Sequence, residues 1–262
     1  MDIVIIIIVI GVIFFVYIRS AYTETIAEEA AEDRFKSDVK VIKENEELLL
    51  NNDLFYRQLP YTSQQRFMQR LALFVQSKNF IGREIEVEYY MKMMIGAAAI
   101  KFSFGVEDYQ LSGFKQILVY PEEYYSKITR QYHKGEANAI GVLAFSWKHF
   151  KEGIDSPKDN LNLGVHEFAH AYFLQQTQMD GEAPFDSNKF KKLRTHIQDH
   201  AVLDTMKQKA LFRDYAFRNE MEFFAIMGEH FFETPTDFKS ETPRLYDMFG
   251  NVLKQDPTKL GM

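Results

Sequence analysis

The chain has 262 residues, with 31 Lys plus Arg against 37 Asp plus Glu, and no cysteine. A formal net charge of −6 argues against a nucleic-acid-binding domain, which is usually basic. The absence of Cys excludes disulfides, thiolate metal sites, iron–sulfur clusters and a Cys nucleophile, and the length allows one large domain or two small ones around a substantial core.

Residues 3–18 form an apolar run, IVIIIIVIGVIFFVYI, without a charge. As a helix it reaches about 24 Å at 1.5 Å per residue, short of the roughly 30 Å hydrocarbon core. Met1, Tyr17 and Tyr22 extend it to a thin single span. A secretory signal peptide is the rival reading. Against it, the start carries Asp2 and no Lys or Arg, and no A-x-A follows the run. A buried core helix is a third reading, disfavoured by the lack of a polar face. Arg19 follows directly, with Lys36, Lys40 and Lys43 further on, so the positive-inside rule puts the rest of the chain in the cytoplasm. The expectation is a single-pass protein of the inner or plasma membrane, held there by its N-terminal helix.

The charge is unevenly spread. Between Arg19 and Glu47 there are nine acids and five bases. This Ala- and Glu-rich stretch predicts an exposed helical stalk; no heptad persists for three repeats, which disfavours a coiled coil. From about Leu54 the composition becomes globular. Thr62 or Ser63 is the expected cap of a helix running to about Ser77, and 86–102, with MKMMIGAAAIKF, predicts an apolar helix packed closely on a neighbour at Gly96. Strands are expected at 115–120 and 138–147, then a loop, KEGIDSPKDN, and helix for most of the remainder. The fold class expected is α+β, mostly helical with a small sheet.

The strongest local signal is His166-Glu167-Phe168-Ala169-His170, an H-E-x-x-H. On a helix, residues four apart share a face, so His166 and His170 can present two imidazoles to one zinc ion, with Glu167 beside them as general base for a water. The flanking Val165, Phe168, Ala169, Ala171, Tyr172 and Phe173 are apolar, unlike a surface helix carrying two unrelated histidines. The short form with a third His is absent, because positions 173 and 176 are Phe and Gln. The third ligand is therefore expected from a later helix. In helical register Tyr215, Asn219, Glu222 and Glu229 share a face, while Glu220 points elsewhere. A buried carboxylate needs a partner. Glu222 is the expected ligand and Glu229 the expected ion-pair or supporting group. Tyr215 reads equally as an oxyanion donor or as an ordinary half-buried tyrosine. A second metal site at His196 and His200 is disfavoured by its polar surroundings, and His133, His149 and His230 read as structural.

These residues resemble a known family, the zinc peptidases named after Mlc titration factor A (MtfA), whose catalytic domain is similar to that of anthrax lethal factor. The resemblance rests on VHEFAH (165–170), on Tyr215…Asn219-x-x-Glu222-Phe-Phe-Ala, and on Glu229-His-Phe-Phe-Glu233-x-Pro235. KNFIG (78–82), ILVYP (117–121), Gly135-Glu-Ala137, Phe145-Ser-Trp147, Arg244-Leu-Tyr and Gln255-Asp-Pro257 add to it, so that it spans about 55–257. It implies a zincin-like, zinc-dependent peptidase with aminopeptidase-type activity. His166, His170 and Glu222 would then bind Zn2+, Glu167 would be the base and Tyr215 would assist at the oxyanion. The expected organisation is an anchor at 1–20, an acidic stalk at 21–53 and a peptidase domain at 54–262. The substrate is a peptide or protein, docked along the 138–147 strand as an edge. A regulatory protein partner is left unidentified, since no motif for a repressor is visible. Two rival readings are a zinc-containing module that sequesters a partner without cleaving it, and a tethered adaptor whose stalk recruits partners.

Overall fold

The computed structural model describes residues 43–126, 130–178 and 183–260, with 13, 16–23, 25, 32–33, 36–37 and 40–41 ahead of them. Among these residues no helix is long and apolar enough to cross a membrane. This finding overturns the expected single-pass placement, the membrane as a partner and the cytoplasmic orientation drawn from them. Most of the 3–18 run on which that expectation was built lies outside the described residues, as does part of the expected stalk.

The part from residue 46 opens with helices α1 (Glu46–Asn52), α2 (Leu54–Gln58) and α3 (Tyr61–Ser77). Leu49 and Tyr56, on either side of position 54, are both fully buried in the same core. The α3 helix starts two or three residues earlier than expected. Pro60 is its N-cap, with no side-chain cap bond, and Thr62 and Ser63 fall inside the first turn. Next come β1 (Asn79–Gly82) and α4 (Tyr89–Ser103), buried from Met93 to Ile100 on every side. A helix apolar all round belongs in a core, and α4 is packed between α3 and the later helices. At Gly96 an added Cβ would lie 2.6 Å from Leu71 Cδ1 on α3, so the close approach expected there requires glycine.

The sheet has the order β1-β2-β6-β5, with β2 at Gln116–Tyr120, β5 at Gly135–Asn138 and β6 at Val142–Ser146. Neighbours β1, β2 and β6 run parallel, and β5 lies antiparallel on β6 at the sheet's end. A separate hairpin, β3 (Tyr124–Ser126) with β4 (Gln131–His133), leads into β5. The expected single strand at 138–147 is thus two strands and a turn. Gly141 takes φ 84°, where L side chains are strained, and Asn138 Oδ1 accepts from Val142 N across the bend. Two consequences correct the sequence reading. The longer strand β6 is interior, so the free edge belongs to β5. In addition, Ser146 caps a helix, α5 (Trp147–Asp155), which takes up the first half of the loop expected at 151–160.

Helix α6 (Leu163–Thr177) lies under this sheet, and α9 (Glu220–Glu233) packs along it. Between them come α7 (Ser187–Ile197), α8 (His200–Lys209) and a short 3-10 turn at Asp214–Arg218. After α9 come α10 (Pro235–Glu241) and α11 (Pro243–Leu253). The many phenylalanines form the core joining these helices. Phe102 of α4 stacks on Tyr172 of α6, with ring centroids 5.4 Å apart, and meets Phe224 of α9 edge-on.

His230 on α9 is buried among Phe212 and Phe238. Burial pulls its pKa down from 6.5 to about 4, with Arg213 pulling the same way and Glu229 opposing. The fold therefore favours the neutral imidazole. Its contribution is complete above pH 6.5 and is lost as pH falls towards 4, worth up to about 3 kcal/mol. Urea unfolding of His230→Gln should lose less stability between pH 6.5 and 4 than the parent chain. An identical loss in both would contradict this assignment.

Candidate metal centre

The site begins with a helix cap. Asn162 Oδ1 accepts from Val165 N at 3.0 Å and starts α6, while its amide nitrogen donates to Glu233 Oε1 at 2.9 Å. One side chain thereby sets the start of α6 against the end of α9. Asn160, in the left-handed region at φ 58°, donates its N–H to Glu233 Oε2 at 2.8 Å.

One turn apart on α6, His166 and His170 hold their rings nearly perpendicular, with centroids 4.4 Å apart. Across from them, Asn219 is extended and caps α9 by accepting from Glu222 N at 2.9 Å. Glu222 sits in the first turn and turns Oε2 towards both imidazoles, 3.3 Å from His166 Nε2 and 3.5 Å from His170 Nε2. One donor atom from each of these three residues lies within 4.8 Å of the others, the one such group among the described residues.

A second carboxylate stands behind the first histidine. Glu229 Oε1 lies 3.2 Å from His166 Nδ1, and its Oε2 pairs with Arg213 Nη1 at 2.6 Å. Arg213 also donates to Asn160 O at 2.7 Å. A carboxylate on the far nitrogen fixes which ring nitrogen faces the centre. Burial penalises the charged form of His166, but Glu222 and Glu229 outweigh it and hold its pKa up at about 10. Burial likewise opposes ionisation of Glu222, and the two histidines outweigh it, holding the carboxyl well below its usual range. Two carboxylates flanking one imidazole call for positive charge at this point. Glu222 Oε2 is buried without a hydrogen-bond partner. Two imidazoles and one carboxylate are a donor set that suits a divalent cation.

Glu167 stands beside the group without joining it. It is 5% exposed, its Oε2 has no hydrogen-bond partner, and burial pushes its pKa up. Gly135 at the start of β5 lies directly against it: an added Cβ would sit 2.7 Å from Glu167 Cγ and Oε1. Tyr215 OH reaches Glu222 Oε1 at 3.4 Å. The tyrosine is not on α9 as the register assumed, because Asn219 breaks the helix and Tyr215 rides on the preceding 3-10 turn. Glu220 points away, as its register requires, and pairs with Arg194 of α7.

The histidines at 196 and 200 belong to different helices and, among the described residues, join no group of donors. His149 Nδ1 contacts Ser146 Oγ at 2.9 Å and serves the start of α5. Arg213, Asn160 and Gly135 gained no site role in the sequence reading. Arg213 had one signal: Glu229 on an apolar helix needs a cation, and this arginine precedes the quoted Tyr215 by two residues.

The chain is similar to Mlc titration factor A of Klebsiella pneumoniae subsp. pneumoniae, 25% identical over 222 residues, covering 76% of this chain and 82% of the relative. It matches the protein of the same name from Enterobacter sp. at 25% over 217 residues, with 74% and 80% covered. The one from Pectobacterium atrosepticum matches at 25% over 167 residues, covering 56% and 62%. The family model described as glucose-regulated metallo-peptidase M90 matches residues 28–254, and the chain belongs to that metallopeptidase family.

Proposed function

We propose that the chain is a zinc-dependent, zincin-like peptidase in which His166, His170 and Glu222 hold the metal and Glu167 is the general base. The observation that carries this reading is the placement of Glu167: a buried carboxylate adjacent to three converging donors and outside their set. A purely structural metal site has no use for such a group. When bound, zinc supplies Lewis acidity, which acidifies a water and polarises the scissile carbonyl.

The chain's own residues do the rest. Glu167 takes the proton of the attacking water and returns it to the leaving amine. Burial, with the Glu222 charge second, raises the pKa of Tyr215, so its hydroxyl stays protonated and can donate to the developing oxyanion. Glu229 and Arg213 keep His166 oriented. A substrate strand adds to the outer edge of β5, the end strand beside Glu167, through backbone hydrogen bonds. This moves the docking edge from the interior β6 to β5.

Turnover of a mixed peptide library, before and after chelation and with zinc restored, tests the reading. Cleavage should vanish with the metal and return with it; cleavage that persists in chelator would refute it. The positions of the cuts also separate removal of N-terminal residues from internal cleavage. Gly135→Ala gives a finer check. The added methyl pushes Glu167 aside, and turnover should fall about 100-fold with metal content unchanged, because a displacement of about 1 Å in a reacting group costs that much. Unchanged turnover would mean that Glu167 does not need its observed position.

A second reading draws on the relatives' name, which speaks of titrating Mlc. A module that sequesters a protein partner would fit that name. It gives Glu167 no task, so the peptidase reading stands first.

A further inference from the structure

The exposed apolar side chains of the described part from residue 43 onward are unevenly placed. The large ones are Tyr61, Tyr125, Tyr132, Ile140, Leu161 and Tyr215. Tyr132, Leu161 and Tyr215 line one cleft of about 420 Å³, whose inner end is Gly135, His166 and Glu167. Tyr125 sits opposite Tyr132 in the β3–β4 register and meets its ring edge-on at 5.4 Å. Four of the six thus gather at the mouth of the candidate active site. Apolar surface collected in this way marks a binding face.

Both walls are held in place. The β3–β4 hairpin is anchored where Tyr124 stacks on Tyr120, with centroids 4.0 Å apart. The opposite wall is the segment before α6. There Leu161 is 57% exposed, yet its neighbour Asn160 is bonded to Glu233, Arg213 and Thr234, and its own N–H donates to Asp159 Oδ1. A leucine held out in water by a network this dense is preorganised for an apolar contact. Of the charged groups lining the cleft, Arg213 pairs with Glu229, and His149 lies near Glu123 and Glu152. Lys134 and Asp159 line it as well. The exposed rings and Leu161 add shape and apolar contact as a means of selection.

We propose that Tyr132 and Leu161 form a subsite that takes a large apolar side chain, aromatic or branched aliphatic, of a peptide whose neighbouring carbonyl lies at the metal group. This rests on the peptidase reading for its substrate class. The test therefore measures binding as well as turnover. Fluorescent peptides differing only in Phe, Leu, Ala or Asp at one position are titrated against full-length, zinc-loaded Glu167→Gln protein, and the same peptides are given to the active chain. Phe and Leu peptides should bind at least about 10-fold tighter than Ala or Asp peptides. Leu161→Ser and Tyr132→Ser, made in the same background, should erase that preference. In the active chain they should raise KM for the apolar set and leave kcat and metal content alone. Tyr61→Ser, equally exposed but outside the cleft, should change nothing. Equal binding of Phe and Ala peptides, or loss of both sets in proportion, would overturn the subsite. Selective binding without any turnover would uphold the subsite while refuting the peptidase reading, and absence of all peptide binding would overturn both.

Discussion

Glu167→Gln should lower peptide turnover by about 10²–10⁴-fold, the range for a positioned general base, while metal content stays at the level of the parent chain. The separation follows from where Glu167 sits. It belongs to the same turn of α6 as His166, yet the converging donor atoms come from His166, His170 and Glu222. Glutamine keeps the shape against Gly135 and removes only the capacity to accept a proton. The fold should not suffer, since burial already disfavours the charged form of this carboxyl. Single-turnover kinetics on a cleavable peptide, with metal analysis of the same sample, reads both quantities. Turnover at the parent rate would remove Glu167 from the chemistry. Metal lost together with turnover would make it a structural member of the site.

The second large effect is expected at Glu222→Ala. Its carboxylate lies within 3.5 Å of both imidazoles, and it is the acidic member of the group. Removing a carboxylate that merely supports a ligand typically costs 10–100-fold in metal affinity, so removing a direct ligand should cost at least about 100-fold. Competition with a chelator of known affinity measures this. The helix itself should survive, because its cap is Asn219 Oδ1 on the backbone N–H of residue 222, which alanine retains. Glu229→Gln is the informative contrast. It leaves the three donors in place and weakens only the hold on His166, so its affinity should fall between those of Glu222→Ala and the parent chain. Equal metal affinity in Glu222→Ala and the parent chain would remove Glu222 from the site.

The part of this arrangement legible in the sequence is the part that depends on local periodicity. Four-residue spacing on an apolar helix brings His166 and His170 to one side, and the same rule separates Glu222 from Glu220 on α9. Periodicity failed where a single residue ends an element. The stretch from Tyr215 to Glu222 reads as continuous helix, yet Asn219-x-x-Glu222 is also a helix-start signal, and the backbone takes that option. The stretch 138–147 reads as one strand because most of its residues are apolar. Gly141 at positive φ folds it into a hairpin, and this decides that β5 rather than β6 lies at the sheet's end. Contacts between distant segments left the least trace. Arg213 is announced only by the need of Glu229 for a cation, and Gly135 reads as an ordinary breaker until Glu167 is seen packed against it. The apolar start of the chain taught a different lesson: its hydropathy supported a membrane span, and no described helix provides one.

The most direct test of the central claim is anomalous diffraction from crystals of the full chain grown with zinc, collected on either side of the zinc absorption edge. One strong peak is expected, contacted by His166, His170 and Glu222, with Glu167 and Tyr215 alongside but not bonded to it. A chain that takes up zinc at another position, or shows no peak among these three residues at saturating metal, would contradict it.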